Sequence, residues 1–114
     1  MGKIKRGVSL YSYQQTQFFK ELDLEGQIKE VGTHLFGADG IELLDEMSLR
    51  KYPDPPEAFF EQWYGWMEKY NTTPVTMDVF CDVLQFRDHV MSYSECADRL
   101  KSDIRLAKKW DLKM

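Results

Sequence analysis

Gly37-Ala38-Asp39-Gly40-Ile41-Glu42-Leu43-Leu44 is the stretch that orders the rest of this chain. Gly37 to Gly40 reads as a helix C-cap followed by a tight turn. Gly40 to Leu44 then reads as a strand, with Ile41 and Leu43 on one face and Glu42 and Leu44 on the other. A helix that stops and a strand that starts at once are the joint of a βα repeat, so the flanks are expected to alternate.

They do. Upstream, residues 6–13 place Val8 and Leu10 on one face and Ser9 and Tyr11 on the other, the period of a strand. Gln14 to Lys20 reads as a loop or short helical turn. Asp23 is an N-cap before Leu24, Ile28, Val31 and Leu35, which recur at helical spacing. Downstream, Asp45 to Asp54 reads as a polar loop. Asp54-Pro55-Pro56-Glu57 opens a helix with a cap and a proline at its first position, and Phe59, Phe60, Trp63, Trp66, Met67 and Tyr70 give that helix a broad apolar face. A third strand is expected at Val75 to Phe80 after Pro74. Ser92-x-x-Glu95 is a capping box for a last helix marked by Ala97, Leu100, Ile104 and Ala107.

The order β-α-β-α-β-α predicts an α/β fold with parallel strands joined by right-handed crossovers. Val8, Leu10, Ile41, Leu43, Val75, Met77 and Val79 would lie under the helices. Ser9, Tyr11, Glu42, Leu44, Thr76, Asp78 and Phe80 would form the opposite face. Parallel sheets are ordinarily covered on both faces. A polar, carboxylate-bearing face fits the interior of a barrel near its mouth better than a doubly wound sheet.

At 114 residues the chain is one domain, residues 1–114, with 43% hydrophobic and 30% charged residues, the balance of a packed globular protein. Net charge is −4, and no clustered basic surface offers itself to phosphates, so nucleic acid is not an expected partner. Neither is a membrane, since no apolar run approaches the roughly 18 residues a spanning helix needs. Cys81 and Cys96 lack CxxC spacing and a neighbouring base; they read as reduced, inert thiols of a cytoplasmic protein. No GxGxxG or GxxxxGK[ST] loop occurs, and His34 and His89 show no zinc-ligand spacing.

Gly7-Val8-Ser9-Leu10-Tyr11-Ser12-Tyr13, Asp23-Leu24-Glu25 and Gly37-Ala38-Asp39-Gly40-Ile41-Glu42, with the helix from Ser92 to Lys109, resemble the N-terminal part of the xylose isomerase-like TIM barrel superfamily. These are sugar phosphate isomerases and epimerases with inosose dehydratase and C-glycoside deglycosidase relatives. The resemblance implies a partial TIM barrel, about three of its eight βα units, truncated before strand four. It implies metal-assisted proton transfer on a sugar or polyol, with a divalent ion (Mn, Mg, Co or Zn) held by later strands. This chain is therefore expected to hold no cofactor itself and to be inactive alone. It is expected to self-associate or to meet a partner chain that completes the barrel. The ending departs from the family: Ala107-Lys108-Lys109 runs into Trp110-Asp111-Leu112-Lys113-Met114 where members continue Leu-Gly-Phe and a strand. A single lost base would turn a Leu-Gly-Phe-Lys coding stretch into Trp-Asp-Leu-Lys, so residues 110–114 are expected to be out-of-frame readthrough.

Four residues are candidates for substrate contact. Glu42 would point into the barrel at the C-terminal end of its strand, either accepting sugar hydroxyls or orienting a neighbour; the alternative is a carboxylate awaiting an interior partner. Asp78 faces the same way. Tyr11, with Tyr13, could stack on a sugar ring or pack the mouth. His89 lies on the loop after the third strand, where a surface histidine is the plainer reading. Asp45, Glu46 and Asp82 lie in mouth loops, the first two as solvated charges, and His34 sits beside the apolar stripe of its helix.

Overall fold

The computed structural model describes residues 4–33 and 38–112. Three parallel strands, β1 (Gly7–Ser9), β2 (Gly40–Leu44) and β3 (Thr73–Asp78), lie in the order β1-β2-β3. Between and around them run α1 (Gln14–Phe18), α2 (Leu24–Thr33), α3 (Asp45–Ser48), α4 (Glu57–Lys69) and α5 (Tyr93–Lys109). The α/β class and parallel sheet are as the sequence predicts. His34, Leu35 and the Gly37 C-cap lie outside the described residues.

The first strand is shorter than the alternation suggests. Ser9 Oγ accepts the Tyr11 N–H at 3.3 Å and caps a 3-10 helix over Leu10–Tyr13. This local side-chain bond competes with the extended ladder and ends it. Asp23 caps α2 as expected, its Oδ1 accepting the Gly26 N–H at 2.8 Å. Asp54 does not cap α4: Pro56 is the N-cap, with no side-chain bond, and both prolines precede the helix. Asp45 to Asp54 is not simply a polar loop either, since it starts with the helical turn α3.

Strand β3 begins two residues earlier than Val75. Pro74 pairs with Ile41 and Thr76 with Glu42, so Val75 is an extra, bulged residue. The bulge turns Val75 away from the helices, and it is 47% exposed on the polar face. Beyond it Met77 is buried as expected, while Phe80 lies past the strand and exposed.

The core lies on the helical side of the sheet, where Ile41, Leu43 and Met77 meet Ile28 and Val31 of α2 and Phe59, Phe60, Trp63 and Met67 of α4. Trp110 completes it, with its ring centroid 4.7 Å from Phe60 and 5.1 Å from Trp63. Trp110 and Leu112, which fall in the stretch expected to be out-of-frame readthrough, are buried in this core. Asp111 takes φ 54° and closes α5 with Leu112 N–H donating to Ala107 at 2.8 Å and Asp111 N–H to Lys108 at 3.1 Å, a Schellman motif.

The stripe anticipated for α5 is out of phase. Leu100 and Ile104 are 43% and 54% exposed, whereas Asp103, Leu106 and Ala107 are buried and the Arg99 side chain is nearly so. The buried side of this helix carries an ion pair, which apolar periodicity does not reveal.

Candidate functional site

No helix covers the opposite face of the sheet among the described residues. Register alone assembles its centre: Ser9 pairs with Glu42, and Glu42 with Thr76, so three polar side chains share one row across the strands. Asp78 lies beside Leu44 on the same face, one pleat further on. The Glu42 carboxyl has Asp78 and Ser9 as its polar neighbours. Asp78 pushes the Glu42 carboxyl above its ordinary range, burial adds to the rise, and Ser9 opposes it.

The row lies in a hollow of about 670 Å³ lined by Ser9, Gly40, Glu42, Val75 and Thr76, with Lys5 and Arg6 at the strand-start rim. A second hollow of about 450 Å³ opens at the C-terminal ends of the strands, between Tyr11, Phe18, Leu44, Met47 and Phe80. Tyr11 is 52% exposed there, carried by the 3-10 helix rather than by a strand. Tyr13 is half-buried against the core.

His89 engages neither hollow. Its Nδ1 lies 2.9 Å from Asp88 and its Nε2 2.7 Å from Glu95, and the Phe86 ring stacks on it at 4.8 Å. The Asp88 and Glu95 contacts raise its pKa above the ordinary imidazole value. Glu95 also closes the capping box with Ser92, so His89 is tied to the start of α5.

Asp45, expected to be solvated, is fully buried. Its carboxyl accepts the Glu46 N–H at 2.8 Å and the Phe80 N–H at 3.2 Å, and Arg99 reaches it at 3.4 Å. Burial nevertheless pushes its pKa up. Arg99 also pairs with Glu46 and donates to Gln85 Oε1 at 2.8 Å, with its guanidinium 5.4 Å from the Tyr52 ring centroid. Tyr52 donates to buried Asp103 at 2.8 Å. This network braces the loops at the strand ends. The i, i+4 spacing of Arg99 and Asp103 was the available sequence cue.

No group of three His, Cys, Asp or Glu side chains suited to a metal forms among the described residues. Nor is any helix there long and apolar enough to cross a membrane.

No family model matches the chain. It is similar to the C-glycoside deglycosidase alpha subunit of Arthrobacter globiformis, 31% identical over 108 residues, 94% of this chain and 29% of that protein. It is also similar to the C-glycoside deglycosidase alpha subunit of Microbacterium trichothecenolyticum, 26% identical over 109 residues, 96% of this chain and 29% of that one. The chain thus spans 29% of the length of the curated relatives it matches, over nearly all of its own.

Proposed function

We propose that this chain forms the opening portion of a sugar-processing barrel of the C-glycoside deglycosidase alpha-subunit kind. In this reading the Glu42–Asp78 pair receives hydroxyl groups of a sugar or polyol. The observation that carries it is the uncovered sheet face with Ser9, Glu42 and Thr76 in one row across the strands and Asp78 beside them. Such a face is costly to leave in this state unless something fills it, and a polyhydroxylated ring offers both the donors and the acceptors that the pair needs. Similarity over nearly all of this chain but 29% of each relative supports a part that works within a larger barrel.

The resemblance to isomerases and epimerases adds a divalent metal, Mn, Mg, Co or Zn. The described residues do not fit one: beside Glu42 and Asp78 no third ligand completes a metal-binding group. An ion would have to be held by residues beyond these. What this chain supplies in this reading is orientation: Ser9 and Asp78 flank Glu42, and Tyr11 flanks the mouth.

A second reading keeps the partial barrel without the chemistry, as a subunit completed by another copy or another chain. The unpaired outer edges of β1 and β3 favour it, together with exposed Leu100 and Ile104 on the outer side of α5. Light scattering on the isolated chain is expected to show species larger than the monomer, and a sharp monomer peak would refute self-association. The chain is then combined with a separately produced polypeptide covering the remaining length of the Arthrobacter globiformis relative. In that assembly Glu42→Ala is expected to weaken C-glycoside binding about 10- to 150-fold, the worth of a hydrogen bond to a charged group. Glu42→Gln loses less and flattens the pH dependence. Assembly with no sensitivity at Glu42 leaves the second reading standing and removes the first.

A further inference from the structure

Between β3 and α5 the chain runs over the surface: residues 82–90 are exposed and Met91 is buried. A stretch with so little buried surface opens at low cost unless side chains tie it down. It is folded on itself by Asp82 Oδ1, which accepts the Leu84 N–H at 2.9 Å, and by the Met91 N–H, which donates to the Val83 carbonyl at 2.9 Å. Among the described residues two side-chain bonds tie it to α5: Arg99 donates to Gln85 Oε1 at 2.8 Å, and His89 Nε2 meets Glu95 Oε1 at 2.7 Å. Gln85, Phe86 and Met91 of this strap line a hollow of about 650 Å³, together with Tyr52 and Arg99.

The first tie carries a fixed charge; the second titrates. On the other side of the His89 ring, Nδ1 lies 2.9 Å from Asp88 Oδ1. An ionised carboxylate only accepts, so both ring nitrogens must carry a proton for both bonds to exist, and that ring is the imidazolium. A neutral imidazole keeps one bond and turns a lone pair on the other carboxylate. Glu95 is itself held in place, because its Oε2 accepts the Ser92 N–H at 2.7 Å in the capping box. Asp88 on the strap and Glu95 on α5 are the charged groups acting on the ring, and Phe86 covers its face. We propose that His89 is a pH-sensitive latch: as the imidazolium it pins the strap of residues 82–91 to the start of α5, and as the neutral ring it lets the strap lift and opens the hollow. The Asp88 and Glu95 bonds raise the His89 pKa above its unfolded value, so the latch is fully made below that value and is lost as pH rises through the folded one. Glu95 sets the acidic limit: the Ser92 N–H and His89 lower its pKa, and its share is lost as pH falls through that lowered value.

Ring and strap can be read separately in the full chain. The His89 ring is followed by NMR through a pH titration, its signal assigned by its loss in His89→Gln. The midpoint is expected above about 6.5, the ordinary histidine value, and should fall in both Asp88→Asn and Glu95→Gln. Glu95→Gln keeps an acceptor for the Ser92 N–H, so α5 retains its start. Trypsin reads the strap, because Arg87 is exposed in its middle. Cleavage after Arg87 is divided at each pH by that of a free peptide of residues 82–91. This ratio is expected to rise as the ring deprotonates, by roughly 1.5- to 5-fold for each exposed ion pair lost. In His89→Gln it should stay at the raised level across the same range. A midpoint at or below about 6.5, or a parent ratio that stays flat with pH or matches His89→Gln throughout, would overturn the latch.

Discussion

Arg99→Ala is expected to lower the stability of the folded chain by about 3–5 kcal/mol, the cost of stranding a buried charge. Asp45 and Asp103 are both fully buried, and Arg99 bridges from Asp45 to Glu46 at the rim. Without the guanidinium, Asp45 keeps two backbone donors and no cation. The penalty should depend on pH. Burial raises the carboxyls of both Asp45 and Asp103 above their ordinary values. A group whose folded pKa lies above its unfolded one contributes stability that is fully present below the unfolded value and is lost as pH rises through the folded value. Arg99 opposes that rise at both carboxyls, so its removal carries them higher and enlarges the loss near neutrality. Urea midpoints of the parent and variant should therefore diverge most near pH 7 and converge as both acids become protonated. An equal deficit at neutral and acidic pH would show that Arg99 acts through packing alone. Arg99→Lys should retain part of the stability, because it keeps the charge but loses the planar fork that reaches Asp45, Glu46 and Gln85 together.

Trp110→Ala is expected to cost about 3–5 kcal/mol, as for other buried tryptophans cut to alanine. Its ring is 2% exposed and closes the cluster of Phe59, Phe60 and Trp63, meeting Phe60 edge-on at 81°. Trp110→Phe should recover much of the loss, because the indole Nε1 is buried without a partner and its removal breaks no hydrogen bond. A loss below about 1 kcal/mol on truncation, read from the denaturation midpoint, would place Trp110 outside the core. The same measurement bears on the ending of the chain. If Trp110 carries this much stability, residues 110–112 are part of what holds α5 against α4.

Much of the architecture was legible because it rests on local chemistry. Asp23 and the Ser92/Glu95 box cap their helices through neighbours three residues away, and such signals survive without tertiary context. Where local signals competed, the linear reading favoured the wrong one. The alternation of residues 6–13 is real, but the Ser9 hydroxyl bends the chain after three paired residues. In α5, Leu100 and Ile104 mimic a core stripe while the true inward face carries Arg99 and Asp103, whose burial is tolerable only because Asp45, Glu46 and Tyr52 arrive from distant positions to meet them.

By itself the sequence determined the alternation of strands and helices, the parallel class and the apolar and polar sides of the sheet, because each follows from residues within one turn or one pleat of each other. Only the tertiary structure decided which side of α5 faces inward, where β3 bulges, and that Arg99 meets Asp45 and Glu46. Those outcomes depend on pairings between residues remote in the chain, whose charge and hydrogen-bonding needs are met only once the elements have packed.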